Sequence, residues 1–337
     1  MKAISILLTS TVIGLNLSHS SNSEIREGMR TINGTKLFVR EVGPIDAPVL
    51  IVVHGGPGGN HLQLRALEQY SPDFRVILYD QRGTGKSERL QVSISNPDTF
   101  RELSLDKNIE DLEGLRKSLN AEKISLIGHS FGGALVTFYA AKYPDKINKL
   151  VVYSGGPEDR ELFNLKNKAH MNKMTSIEQF QLKKITESLQ LEVEGNASQN
   201  VLDQSLIEAV KLMIPSLNCQ RPTESKDLGH GGFWANYIVG QYVDTFNRIE
   251  FAKKLKTFKF PTLLMWGRCE PSPQERLLYL LDHIPNAQFA IFENSGHNAM
   301  EEEPGLFFET LEEFLYDKTI QQKTYRSRLE VQEKSNE

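Results

Sequence analysis

Cysteine and tryptophan are scarce, at two residues each in a chain of 337. Two cysteines exclude a disulfide framework and a cysteine metal site. Cys219 and Cys269 read as unpaired thiols, although an oxidising compartment permits one bridge between them. Charge of one sign is also missing: 39 Lys and Arg against 43 Asp and Glu leave a net charge of -4. That balance supplies no field for drawing in nucleic acid or an anionic membrane surface, so no nucleic-acid partner is expected. The densest basic cluster, Lys253, Lys254, Lys256 and Lys259, is interleaved with Leu255 and Phe258 and reads as a solvated helix edge. There is no internal repeat, and nothing in the sequence sets an oligomeric state.

Long hydrophobic runs are lacking too. The uncharged stretch from Ala3 to Leu17 spans about 15 residues, short for a membrane-crossing helix. One lysine precedes it, and Ser18-His19-Ser20 follows as a small-x-small cleavage site, so residues 1–20 read as a signal peptide. The expectation is an exported protein, periplasmic or secreted, with no stable membrane partner after cleavage. No cysteine follows the stretch, which argues against a lipoprotein anchor.

What is present is an apolar content of 39%, enough for a sizeable core. Apolar runs alternate with helical stretches, the signature of an α/β fold with a mainly parallel sheet covered by helices on both faces. Buried parallel strands read as continuous hydrophobics. The candidates are KLFVREV (36–42), PVLIVVH (48–54), FRVILYD (74–80), KISLIG (123–128), KLVVYSG (149–155), PTLLMWG (261–267) and AQFAIFE (287–293). Helices are predicted over 106–119, 131–143, 273–283 and 305–317. The alternation lapses over 157–250, which reads as an inserted helical lid between core segments 30–156 and 251–317. Gly155-Gly156-Pro157 supplies the break, and Thr175-Ser176-Ile177-Glu178 has the form of a capping box. Residues 318–337 are charged and read as a loose or helical tail.

Gly128-His129-Ser130-Phe131-Gly132 has the G-x-S-x-G pattern of a nucleophile elbow, with a strand before it and a helix after it. So tight a turn leaves no room for side chains at the flanking positions and exposes the serine hydroxyl above the sheet. A serine hydroxyl needs a base. His297, in Asn294-Ser295-Gly296-His297 after the last strand, falls at the carboxyl edge of the sheet, where open α/β sheets hold their sites. The acid is expected after PTLLMWG, where Glu270 stands; Glu158 or Asp159 is the fallback. Its task is to accept the imidazole N–H and fix the tautomer. The glycine-rich loop His54-Gly55-Gly56-Pro57-Gly58-Gly59 lets backbone approach substrate closely. The expected oxyanion donors are the N–H groups of Gly56 and Phe131, with His54, Gly55, Pro57 and Gly58 shaping the substrate loop. Gly83-Thr84-Gly85-Lys86-Ser87 echoes a phosphate-binding loop, but Asp80 occupies the place of its first glycine and excludes that reading. Asp80 and Arg82 are expected to pair with each other beneath the site. No cofactor and no metal is implied.

These residues resemble the α/β-hydrolase superfamily, and within it the proline iminopeptidase group with its amino-acid amidase and tricorn-interacting aminopeptidase neighbours. The resemblance covers roughly residues 30–317 and is carried by HGGPGG (54–59), DQRGTGKS (80–87) and GHSFGG (128–133). It implies a metal-free serine hydrolase that removes an N-terminal residue, often proline, from peptides or amides. An esterase acting on an ester substrate and a non-catalytic ligand-binding relative are the alternatives. Two positions depart from the family pattern. Glu270 stands where relatives carry aspartate, and Ala235 stands where a lid glutamate that holds the substrate's ammonium is expected. Epoxide hydrolase and dehalogenase relatives need an aspartate where Ser130 stands.

Overall fold

The computed structural model describes residues 24–92, 95–220 and 231–334. The expected signal peptide lies outside these residues. Nine strands occur among them: β1 (Ile25–Ile32), β2 (Thr35–Val42), β3 (Val49–Val53), β4 (Arg75–Tyr79), β5 (Ile124–His129), β6 (Ile147–Tyr153), β7 (Thr262–Gly267), β8 (Ala287–Phe292) and β9 (Thr324–Tyr325). They form one sheet in the order β1-β2-β4-β3-β5-β6-β7-β8-β9. The pairs from β4 through β3 to β8 are parallel, while β1/β2, β2/β4 and β8/β9 are antiparallel.

Every residue of β3, β4, β5 and β7 is buried, which is why these strands read as unbroken apolar runs. Alternate residues serve opposite faces. Ile51 and Val53 join one core with Leu112, Leu135 and Leu277, whereas Leu50 and Val52 join another with Leu67, Phe307 and Leu311. The helices that cover the sheet are α1 (Leu105–Ser118), α2 (Phe131–Lys142), α8 (Glu275–His283) and α10 (Pro304–Leu315), each within two residues of its predicted bounds.

Between β6 and β7 the chain makes α3 (Arg160–Lys173), α4 (Ser176–Glu194), α5 (Gln199–Leu217), α6 (Phe233–Val239) and α7 (Arg248–Leu255), with no strand among the described residues. The capping box at Thr175 and Glu178 is formed at the start of α4. Leu202, Phe233, Trp234 and Ile238 of this insertion pack on Leu103 in a third apolar cluster.

Two elements escape the hydrophobic pattern. β1 is largely exposed, so it carries no apolar run. Its signal is local: Asn33 and Gly34, with φ of 46° and 78°, join it to β2 as a two-residue hairpin turn. The tail is ordered more than its composition suggests. β9 pairs with β8 and buries Tyr325, and α11 (Arg328–Lys334) is held by Arg328 on Glu275 and Asp282. A short helix, α9 (Ala299–Glu302), follows the loop after β8.

Candidate active site

Ser130 sits between β5 and α2 with φ 56° and ψ −122°, the strained conformation expected of an elbow serine. Its N–H donates to Tyr153 O at 2.9 Å and its carbonyl accepts from Gly133 N at 2.9 Å, so neighbouring elements fix the turn. A Cβ on Gly128 would lie 2.2 Å from Gly132 O, and one on Gly132 would lie 2.2 Å from Val53 O. Those contacts are the physical reason for the glycines.

The carboxyl ends of β7 and β8 supply the partners. Glu270 Oε2 accepts a hydrogen bond from His297 Nδ1 at 2.6 Å. Glu158 and Asp159, the fallback acids, are engaged elsewhere: Glu158 with Lys166, and Asp159 with Arg248 and with the N–H of Leu162 at the start of α3. Ser130 and His297 line one cavity of about 740 Å³, with Glu270 behind the imidazole. The loop carrying His297 is latched to the insertion, since His297 N donates to Leu217 O at 2.8 Å. His129, beside the serine, packs its ring 4.8 Å from that of His297 and donates from Nε2 to His297 O at 3.1 Å.

The glycine-rich loop lies over the serine. Gly55, Gly56, Pro57, Gly58 and Gly59 all line the cavity. Gly55 N donates to Gln63 Oε1 at 3.1 Å, Gly59 N donates to Gly55 O at 3.2 Å, and Asn236 donates to Pro57 O at 2.7 Å, which together set the loop's shape. Gly56 has φ +123°, a backbone conformation other residues avoid. Phe131 is buried, with its ring 6.3 Å from that of Tyr242, and it heads α2, where backbone N–H groups lack intrahelical partners.

A family profile described as the alpha/beta hydrolase fold matches residues 48–304, more than half of the chain. The chain belongs to the α/β-hydrolase family. A proline iminopeptidase of Saccharolobus solfataricus is 30% identical over 281 residues, covering 79% of this chain and 84% of that protein. One from Clostridioides difficile is 27% identical over 299 residues, covering 87% of this chain and 98% of its own. The crystal structure of the proline iminopeptidase-related protein from Thermus thermophilus matches with a TM-score of 0.62 at 21% identity, over 87% of this chain and 98% of that one. The relatives place the chain in the proline iminopeptidase group of the α/β hydrolases, and the family membership supports an enzyme of the hydrolase class.

Several expectations need correction within this hydrolase frame. His54 does not line the cavity. It is buried beneath the loop, accepting from Gln81 N at Nε2 (3.1 Å), which leaves Nδ1 to donate to Gly55 O at 2.9 Å. Asp80 and Arg82 do not pair with each other. Asp80 accepts from His61 Nδ1 at 2.8 Å and from Lys86 N at 2.7 Å, while Arg82 forks onto Asp111 at 2.6 and 2.7 Å. Both still brace the turn below the site. The cysteines are not free thiols: Cys219 and Cys269 form a disulfide that ties the chain after α5 to the loop bearing Glu270. Ala235 is buried in the cluster around Phe233 and is not part of the cavity lining. Among the described residues, Glu301 is the only carboxylate in that lining.

Burial alone pushes the Glu270 carboxyl up, but the charge of His297 and its hydrogen bond, followed by the charge of Arg276, outweigh it and hold the group down to about 2. An ionised acceptor behind the imidazole is what a base needs. Burial first, then repulsion from His297, pushes His129 down to about 3, so it stays neutral. Burial does the same to His170, also to about 3. Among the described residues no group of three or more His, Cys, Asp or Glu side chains is arranged to hold a metal ion.

Sequence reasoning missed a polar cluster on the insertion side of the cavity: Lys166 and His170 of α3, Ser272, and Arg276 of α8. His170 Nε2 lies 3.0 Å from Ser272 Oγ. Nothing in the sequence flags these residues: Lys166 and His170 fall in the stretch read only as a helical lid, and Arg276 falls in the helix predicted over 273–283. Asn236 and Gln63, which hold the glycine-rich loop, left no signal either.

Proposed function

We propose that this protein is a serine hydrolase that removes an N-terminal residue, proline or another small or apolar residue, from short peptides or amides through an acyl-enzyme. The observation that carries the reading is the 2.6 Å hydrogen bond from His297 to the buried Glu270, in a cavity that His297 shares with the elbow serine Ser130. Ser130 Oγ attacks the carbonyl while His297 Nε2 takes its proton. Glu270 holds the tautomer and stabilises the imidazolium. The N–H groups of Gly56 and Phe131 face the charge that develops on the carbonyl oxygen. His297 returns the proton to the departing amine, and water then attacks the ester on Ser130 with His297 again as base.

The similarity to proline iminopeptidases supports the peptide or amide reading. Apolar cavity residues such as Phe163, Ile207, Met213 and Tyr237 suit an apolar first residue, and Glu301 contributes a carboxylate to the same lining. The apolar lining, with a single carboxylate among the described residues, gives a carboxylesterase of the same fold its claim as the second reading. Export is part of the proposal: it rests on the composition of residues 1–20 and on the Cys219–Cys269 bridge, a bond that persists in oxidising compartments.

The test compares prolyl and alanyl amides with p-nitrophenyl butyrate on the mature protein. Turnover of the amides, abolished by Ser130→Ala, is expected. Ester hydrolysis without amide turnover selects the esterase reading, and full activity in Ser130→Ala rejects the serine mechanism.

A further inference from the structure

Arg276 is 4% exposed, yet its Nε and Nη2 have no hydrogen-bond partner among the described residues. Its nearest acid is Glu158, with Oε2 3.6 Å from Nη1, beyond hydrogen-bond reach. Glu158 meanwhile takes Lys166 as its close partner, and the charge of Arg276 also reaches the more distant Glu270. The guanidinium rests over the Trp266 ring, 5.6 Å from its centroid, and Arg276 forms part of the cavity wall shared with Ser130 and His297. Leaving two charged donors buried and unpaired is costly, and a planar fork of N–H groups matches a carboxylate in two places at once. The wall carries Arg160, Lys166 and Arg276 against Glu301 alone among the described residues, and Arg160 is already held by Asp244.

We propose that Arg276, supported by Lys166, is a subsite for a carboxylate of the substrate. This deepens the peptide reading above and rests on it for the identity of the substrate. The carboxylate has two sources: the C-terminus of a dipeptide, or an acidic side chain on the residue removed. Either one places substrate charge against Arg276 while the scissile carbonyl faces Ser130.

Binding to Ser130→Ala protein tests the subsite without requiring turnover. By titration calorimetry, Pro-Ala is compared with its C-terminal amide, and glutamate amide with glutamine amide. At least one carboxylate member is expected to bind about tenfold or more tightly than its neutral twin, the pair that responds identifying the source. Adding Arg276→Gln should bring that ratio close to one, and Arg276→Lys should retain part of it. Equal affinity within both pairs, or no binding of any of the four, overturns the proposal, and this comparison stands even if an Arg276 variant does not fold. A ratio that survives Arg276→Gln overturns it as well, as does an equal fall for both members, which makes Arg276 only an electrostatic support of Glu270. Failure of wild-type protein to cleave any aminoacyl amide removes the peptidase reading and leaves the binding result to be judged separately.

Discussion

Breaking the Cys219–Cys269 bridge perturbs stability and the site together. The bridge closes a loop with a sequence separation of 50, with the two Cα atoms 5.1 Å apart. Chain entropy then assigns it about 4 kcal/mol of stability. With an unfolding entropy of about 2.1 cal/mol/K per residue, that loss lowers the melting midpoint by about 6 °C. The bridge also anchors a wider seam. Cys219 N donates to Glu302 Oε1 at 2.7 Å, Cys269 N donates to Ser295 O at 2.8 Å, and Asn298 donates to Asn218 at 2.9 Å. Residues 217–219 thus tie the His297 loop to the chain next to Glu270. Cys219→Ser/Cys269→Ser should melt lower by roughly that amount and lose several-fold in kcat/KM, and a thiol reductant should move the wild type to the same values without affecting the variant. Calorimetry and amide or ester turnover read the two effects. Identical midpoints in oxidised and reduced protein refute the cross-link argument; a lower midpoint with unchanged activity refutes the coupling to Glu270.

Glu270→Gln leaves His297 with a partner of the wrong polarity and should lower kcat by roughly 10³–10⁴-fold, read as slower turnover and slower fluorophosphonate labelling of Ser130. A fall of less than tenfold assigns the acid's role elsewhere. His170, pushed down to about 3 by burial, stays neutral in the folded protein while the unfolded chain takes up a proton near its ordinary value. Stability should therefore decline as pH falls from about 6.5 towards 3, and His170→Gln should flatten that decline in urea midpoints measured across the window. The buried Arg82–Asp111 pair should behave asymmetrically: Arg82→Met strands a carboxylate and costs about 3–5 kcal/mol, whereas Arg82→Met/Asp111→Leu recovers most of it in urea unfolding.

The core strands, the covering helices and the elbow were legible because each is specified by adjacent residues. A parallel strand buried on both faces must be continuously apolar, as in Leu50–Val53, and a strand-to-helix turn as tight as the one at Ser130 admits only glycine at Gly128 and Gly132. His297 and Glu270 could be nominated from their places after β8 and β7, whereas β1 was missed, although the Asn33-Gly34 turn that joins it to β2 is a local signal. Other features depended on residues far apart in the chain. Whether Cys219 meets Cys269, whether Asp80 finds His61 or Arg82, and whether His54 faces substrate or Gln81 all turn on how separate loops pack. The guanidinium of Arg276, with Nε and Nη2 lacking hydrogen-bond partners among the described residues, is the extreme case. Its sequence surroundings describe a charged helix surface, and only the fold of α3 and α8 around one cavity buries it beside Glu158 and leaves two donors without a partner. Local steric and hydrophobic demands are written in neighbouring residues, while charge pairing and cavity lining arise from contacts that tertiary packing alone creates.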